Sequence, residues 1–162
     1  MTLAIGQPAP TFTLPRDGGA TVSLADLRGR HVVLFFYPKD DTSGCTLEAQ
    51  EFTDFVPRFE AAGAVVFGIS AGNVRAKDKF VKKAGLGVPL LADEGGEVLN
   101  AYGLWQEKSM YGRTYMGIVR TTVLIDPEGY VAQVWPVKKV EGHAQQVLEH
   151  IESLGVSSRT SG

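Results

Sequence analysis

Two apolar runs constrain this chain most: His31–Tyr37 (HVVLFFY) and Ala64–Ser70 (AVVFGIS). Each is short, rich in β-branched and aromatic residues and free of charged residues, which is the pattern of a strand buried on both faces. Between them Leu47, Phe52, Phe55, Val56 and Phe59 recur at three- and four-residue spacing. That spacing predicts a helix with one apolar face. Strand, helix and strand in this order form a βαβ unit, whose crossover is right-handed and whose strands are parallel.

The pattern continues downstream. A second helix is predicted from Asn73 to Ala84, with Val74, Phe80, Val81 and Ala84 inward and Gly85 as its stop. A short helix follows over Glu97–Tyr102. Thr121–Asp126 (TTVLID) and Tyr130–Trp135 (YVAQVW) read as strands joined by Asp126-Pro127-Glu128-Gly129, which has type I turn chemistry. The last helix is predicted over His143–Leu154, with Ala144, Val147, Leu148, Ile151 and Leu154 inward. Asp17-Gly18-Gly19 marks a small N-terminal hairpin. Trp105, Met110, Tyr111, Tyr115 and Met116 form an aromatic and Met-rich stretch expected to pack over the sheet, with a lip at a substrate entrance as its alternative. The whole resembles an α/β, thioredoxin-like fold: a mixed central sheet, helices on both faces and an N-terminal hairpin extension. We expect one domain over residues 1–156 and a flexible tail over 157–162.

Charge and hydropathy exclude several functions. The formal net charge is −2, so no basic excess exists to neutralise phosphates and nucleic acid is not an expected partner. No apolar run approaches the roughly 18 residues that cross a bilayer. The first residues lack a charged segment followed by an apolar one, so a cytoplasmic location is expected. No His, Cys, Asp and Glu cluster has metal-ligand spacing, and no Gly-rich phosphate loop is present. We therefore expect no metal and no cofactor. His31, His143 and His150 read as structural or solvated.

The chain has one cysteine, Cys45, so no internal disulfide can form, and a lone cysteine suits a reducing compartment. A free cysteine is most often an inert core residue. The neighbourhood of Cys45 argues otherwise. Pro38 ends the first strand because it cannot extend the ladder, and a polar loop then carries Cys45 into the first turn of the next helix. Open α/β sheets bind ligands at this strand edge. The first helical turn has N–H groups without partners and the positive end of the macrodipole. Both favour the thiolate, which is the nucleophilic form.

Pro38-x-x-x-Thr42-x-x-Cys45 resembles the active-site signature of the peroxiredoxins. The longer string FFYPKDDTSGCTLEA (Phe35–Ala49) is similar to the bacterioferritin comigratory protein, or PrxQ, subfamily. KFVKK (Lys79–Lys83), YGLW (Tyr102–Trp105), Glu107-Lys108, GIVRTTVLID (Gly117–Asp126) and GHA (Gly142–Ala144) match in register, so the likeness spans Ile5 to Leu154. It implies that Cys45 is the peroxidatic cysteine and that Thr42 supplies the hydroxyl that hydrogen-bonds thiolate and peroxide. It further implies that Pro38 screens the site from water, that Arg120 is the active-site arginine, and that Glu48 orients it. Each also has a structural reading: strand terminator for Pro38, N-cap or turn for Thr42, capping or helix-surface carboxylate for Glu48, strand-opening surface charge for Arg120.

The resemblance implies a thiol-dependent peroxidase for hydrogen peroxide and organic hydroperoxides, acting mostly as a monomer with a weak dimer as the alternative. The chain departs from the commonest form at the resolving cysteine. Gln50 and Val81 stand at the two positions where relatives carry it. A sulfenic acid on Cys45 then needs an external thiol: thioredoxin, glutaredoxin or a low-molecular-weight thiol. Two other readings stay open on the residues: a cysteine hydrolase or transferase with a histidine base, and a non-enzymatic thioredoxin-like binding module. A dithiol reductase is excluded, because Thr42 stands where a Cys-x-x-Cys motif needs its first cysteine.

Overall fold

The computed structural model describes residues 3–161. Its five-stranded sheet is built on β3 (His31–Phe36) and β4 (Ala64–Ser70), the two runs of the βαβ unit. They pair in parallel, with Leu34 opposite Phe67 and Phe35 opposite Gly68. β5 (Leu90–Ala92) adds in parallel to β4. On the other side β8 (Thr121–Ile125) pairs antiparallel with β3, and β9 (Val131–Pro136) pairs antiparallel with β8. The sheet order is β5-β4-β3-β8-β9, which is the mixed sheet expected. Asp126 closes the β8–β9 turn: its Oδ1 accepts the N–H groups of Glu128 and Tyr130.

Alternate residues of β3 feed two cores, as the period of a strand dictates. Val33, Phe35 and Tyr37 point into one, with Ala49 and Phe52 of α1 (Ser43–Asp54), Phe59 of α2 (Val56–Ala61), Phe80 of α3 (Val74–Ala84) and Val147 and Leu148 of α5 (His143–Ser161). Val32, Leu34 and Phe36 point into the other, with Phe12, Leu14 and the Val98–Leu99 pair of α4 (Glu97–Ala101). Helices thus lie on both faces.

Gly68 is the tightest point. The Phe35 ring lies across it and stacks on Phe52 at 4.6 Å. A Cβ at position 68 would come within 2.7 Å of Phe35 Cζ and 2.8 Å of Leu90 Cδ2. Gly68→Ala is expected to destabilise the domain by about 1–3 kcal/mol through overpacking. A urea midpoint equal to that of wild type would refute this.

The N-terminal extension forms the expected hairpin, β1 (Thr13–Pro15) against β2 (Thr21–Ser23). It is tied to one rim of the sheet: Asp17 N donates to Leu90 O, and Leu90 N donates to Asp17 Oδ1, both at 2.9 Å. Further upstream, Gly6 N donates to Val131 O at 2.8 Å and Val131 N donates to Gln7 O at 2.9 Å, at the opposite rim.

Several expectations need correction. The single helix after β3 is two helices, separated at Phe55. Pro57 sits in the first turn of α2, and its missing N–H cannot serve a continuous helix. The buried face of α1 is Cys45, Glu48, Ala49 and Phe52, whereas Leu47 is exposed. In α3 the buried residues are Phe80 and, unexpectedly, Lys77. In α5 Leu154 is exposed. α5 runs beyond the predicted end at Leu154, to Ser161; Gly162 lies outside the described residues.

Of the aromatic stretch, Trp105 packs against the core as expected, whereas Tyr111, Tyr115 and Met116 do not. The stretch is a separate antiparallel hairpin, β6 (Trp105–Met110) and β7 (Arg113–Ile118), with a two-residue turn at Tyr111-Gly112. Both turn residues have positive φ, 52° and 77°, as the tight turn that matches strand twist requires. Tyr111, Tyr115 and Met116 are exposed.

Candidate active site

The β3 ladder continues through Tyr37, whose N–H donates to Ile69 O. Pro38 has no N–H, and pairing stops there. Residues 38–42 then cross to α1, with Asp41 in the left-handed region at φ 62° and Thr42 at the N-cap with extended backbone. Cys45 is the third residue of α1, in its first turn. The thiol is 1% exposed, so a reactant must enter a shielded site rather than meet a surface sulfur.

Arg120 lies between β7 and β8, where its carbonyl accepts Val137 N–H. Its guanidinium reaches back to α1. Nη2 donates to Cys45 Sγ at 3.2 Å, and Nη1 donates to Glu48 Oε1 at 2.5 Å. One planar fork therefore joins the sulfur to a carboxylate one helical turn below it, a geometry a single lysine ammonium cannot copy. A Cβ at Gly44 would stand 3.5 Å from Arg120 Nη2, an ordinary contact, so the fork does not require glycine there. Burial alone would make the guanidinium easier to deprotonate, but Glu48 and the Cys45 sulfur raise its pKa above the ordinary value.

Glu48 is 1% exposed, so it is not a helix-surface carboxylate. Burial raises its pKa from 4.5 to about 7, against the pull of Arg120. Its second oxygen, Oε2, has no hydrogen-bond partner among the described residues. A carboxylate held this way is costly.

The Thr42 hydroxyl donates to Lys39 O at 2.9 Å. It makes no cap bond to the helix, and its proton is directed to a carbonyl, not to Sγ. Its lone pairs stay available to accept a hydrogen bond from an incoming O–H. Pro38 is half-buried at the same loop. The structure thus brings Cys45, Glu48 and Arg120 into one hydrogen-bonded group, with Thr42 and Pro38 on the loop that leads into it.

No histidine among the described residues hydrogen-bonds Cys45. His143 is engaged with Thr122 Oγ1 at 2.8 Å and with Gln146, and burial lowers its pKa. A histidine-assisted hydrolase loses its base. Among the described residues no His, Cys, Asp and Glu group could hold a metal ion, and no helix is long and apolar enough to cross a membrane.

Comparison with known proteins places the chain among its relatives. Residues 5–134 match the model of the AhpC/TSA family. A protein of Coxiella burnetii described as a putative peroxiredoxin bcp is 48% identical over 148 residues, 91% of this chain and 98% of that one. Peroxiredoxin Bcp of Bacillus subtilis is 40% identical over 154 residues, 95% and 98% of the two chains. Among solved structures, the bacterioferritin comigratory protein of Xanthomonas campestris, described for alkyl peroxide reduction, superposes with a TM-score of 0.87 at 36% identity. That match covers 94% of this chain and 99% of the other. A thioredoxin-like domain with its one cysteine in the first turn after the central strand, faced by an arginine fork, thus stands beside full-length relatives of the same kind: the chain belongs to the AhpC/TSA family, as a peroxiredoxin of the Bcp/PrxQ type.

Proposed function

We propose that this chain reduces hydrogen peroxide and organic hydroperoxides at Cys45 and is recycled by an external thiol. The observation that carries the reading is the Arg120 fork, with one amino group on Cys45 Sγ and the other on Glu48. The Cys45 thiolate attacks the terminal oxygen of R–O–O–H. The S–O bond forms as the O–O bond breaks, sulfur loses two electrons, and R–O⁻ departs and takes a proton from water. Negative charge moves from sulfur to the leaving oxygen, and Arg120 Nη2 and the first-turn N–H groups of α1 stabilise it without reorganising. Thr42 accepts the hydroperoxide O–H, Pro38 keeps water from the sulfur, and Glu48 aims the fork.

The product is a Cys45 sulfenic acid. With no second cysteine in the chain, a thiol R′–SH condenses with it, giving a mixed disulfide and water, and a second thiol releases Cys45. Thioredoxin, glutaredoxin and low-molecular-weight thiols fit this role. The alkyl peroxide reduction described for the Xanthomonas campestris relative supports organic hydroperoxides as substrates. A cytoplasmic monomer is the accompanying proposal; sedimentation across a concentration range tests the monomer, and a stable higher oligomer would contradict it.

Stoichiometric peroxide added to pre-reduced protein is the decisive experiment. We expect one equivalent consumed, a mass gain of one oxygen on Cys45, and a mixed disulfide only after thiol is added. Gln50 Nε2 donates to Ala84 O at 3.3 Å, tying α1 to the end of α3. Hydrogen exchange in α1 should therefore be the same before and after oxidation. Loss of protection without added thiol would show that the helix unwinds on its own account, and unconsumed peroxide would refute the peroxidase reading.

A further inference from the structure

The Lys77 side chain has no exposed surface. An ammonium has three protons to give, and each has a short acceptor: Asp40 Oδ2 at 2.8 Å, Ser70 Oγ at 2.7 Å and the Ala71 carbonyl at 2.7 Å. The charge also lies 5.7 Å from the centre of the Tyr37 ring. Tyr37 OH in turn donates to the other Asp40 oxygen at 2.6 Å. Both carboxylate oxygens and all three ammonium protons are thereby committed. The group joins the end of β3, the loop before α1, the end of β4 and the middle of α3.

Asp40 sits in the loop that positions Thr42 and delivers Cys45. The next residue, Asp41, is left-handed at φ 62°, a conformation that a non-glycine residue keeps only when its surroundings over-determine it. The neighbouring Lys83–Asp41 pair is exposed on both sides and contributes little. A buried ion pair adds little net stability, yet it can fix one arrangement against others.

We propose that Lys77, acting through Asp40, is a positioning residue for the peroxide site: the buried ammonium fixes the loop of residues 38–42 in the conformation that places Thr42 and the first turn of α1 opposite Arg120. Lys77 touches no reacting atom. Its effect falls on the alignment of groups around the hydroperoxide and not on the sulfur's general reactivity. The inference rests on the peroxidase reading.

Two rates on the same folded protein separate the roles. Iodoacetamide needs only an accessible thiolate, whereas hydrogen peroxide needs the thiolate, Thr42 and Arg120 in register. Lys77→Met, close in length and uncharged, is expected to lower the ratio of peroxide rate to iodoacetamide rate by about tenfold or more, as small misplacements in an active site do. A merely structural role would lower both rates together with the folded fraction and leave the ratio unchanged. If Lys77→Met does not fold, Asp40→Asn carries the same measurement, because it keeps an acceptor for Tyr37 and removes the charge that holds Lys77. An undiminished ratio in the folded variant overturns the proposal. Failure of the wild type to react with peroxide would instead sink the peroxidase reading, so the two outcomes are distinct.

Discussion

Cys45→Ser is expected to abolish peroxide reduction, and Arg120→Ala to slow oxidation of Cys45 by about 10²–10³-fold, the usual effect of removing one donor from a site of developing negative charge. The serine hydroxyl is barely ionised at neutral pH, and its oxygen cannot become a sulfenic acid. Arg120 acts differently. It does not make or break a bond, but its Nη2 stands 3.2 Å from the sulfur, beside the line along which charge moves to the leaving oxygen. Truncation strands the Glu48 carboxylate, which is 1% exposed. With a pKa already near 7, Glu48 can take up a proton instead of unfolding the domain. Arg120→Lys should recover little, because a lysine is shorter and lacks the rigid planar fork that meets Sγ and Oε1 from two separate nitrogens. Stopped-flow rates under single-turnover conditions test all three variants. A Cys45→Ser protein that turns over, or an Arg120→Ala protein as fast as wild type, would remove the mechanism.

The second large effect lies at Glu48, where activity and stability pull in opposite directions. Its folded pKa of about 7 stands above the 4.5 of an ordinary glutamate. Between these values the native state holds a proton that the unfolded chain has released, so native stability falls as pH rises through that window. The loss is complete above about pH 7 and on the order of 3 kcal/mol. Glu48→Gln removes it. The variant should show a flatter stability profile between pH 5 and pH 8, while its peroxide rate drops by about 10–100-fold because the fork is no longer held by a charge. His31 and His143, whose pKa values burial lowers, titrate in both proteins and cancel in the comparison. Urea unfolding at the two pH values measures the difference. If wild type and variant lose stability equally between pH 5 and pH 8, Glu48 does not carry this strain.

The sequence is most informative where local pattern and packing coincide. The β3 and β4 runs, the Asp126–Gly129 turn and the place of Cys45 in the first turn of α1 could all be read from periodicity and turn chemistry. The spacing of Leu47 with Phe52 mis-set the inward face of α1, because Glu48, a charged residue, takes the buried place that hydropathy gave to Leu47. The same blindness hides Lys77. Its acceptors Asp40, Ser70 and Ala71 meet it only once β4 and α3 have packed, and no short-range pattern announces that. Contact between Arg120 and Glu48 likewise depends on β8 lying beside β3; resemblance supplied the residues, and the fold supplied the distances. The β6–β7 hairpin has a legible signal in Tyr111-Gly112 between β-prone segments, but its aromatics imitate a core segment.

The N-terminal extension has a consequence for behaviour in crowded solution. Residues Gly6 and Gln7 bond the β9 rim at Val131, while Asp17 bonds the β5 rim at Leu90. One short stretch of chain therefore shields parts of both margins of the sheet, where unpaired backbone groups would otherwise offer a template to another molecule. Removing residues 1–7 would bare the β9 rim at Val131, keep Phe12 and Leu14 in their core and leave the Cys45 group itself untouched. The expected result is a protein that still reacts with peroxide when dilute but turns the solution cloudy as it is concentrated, strand margin adding to strand margin.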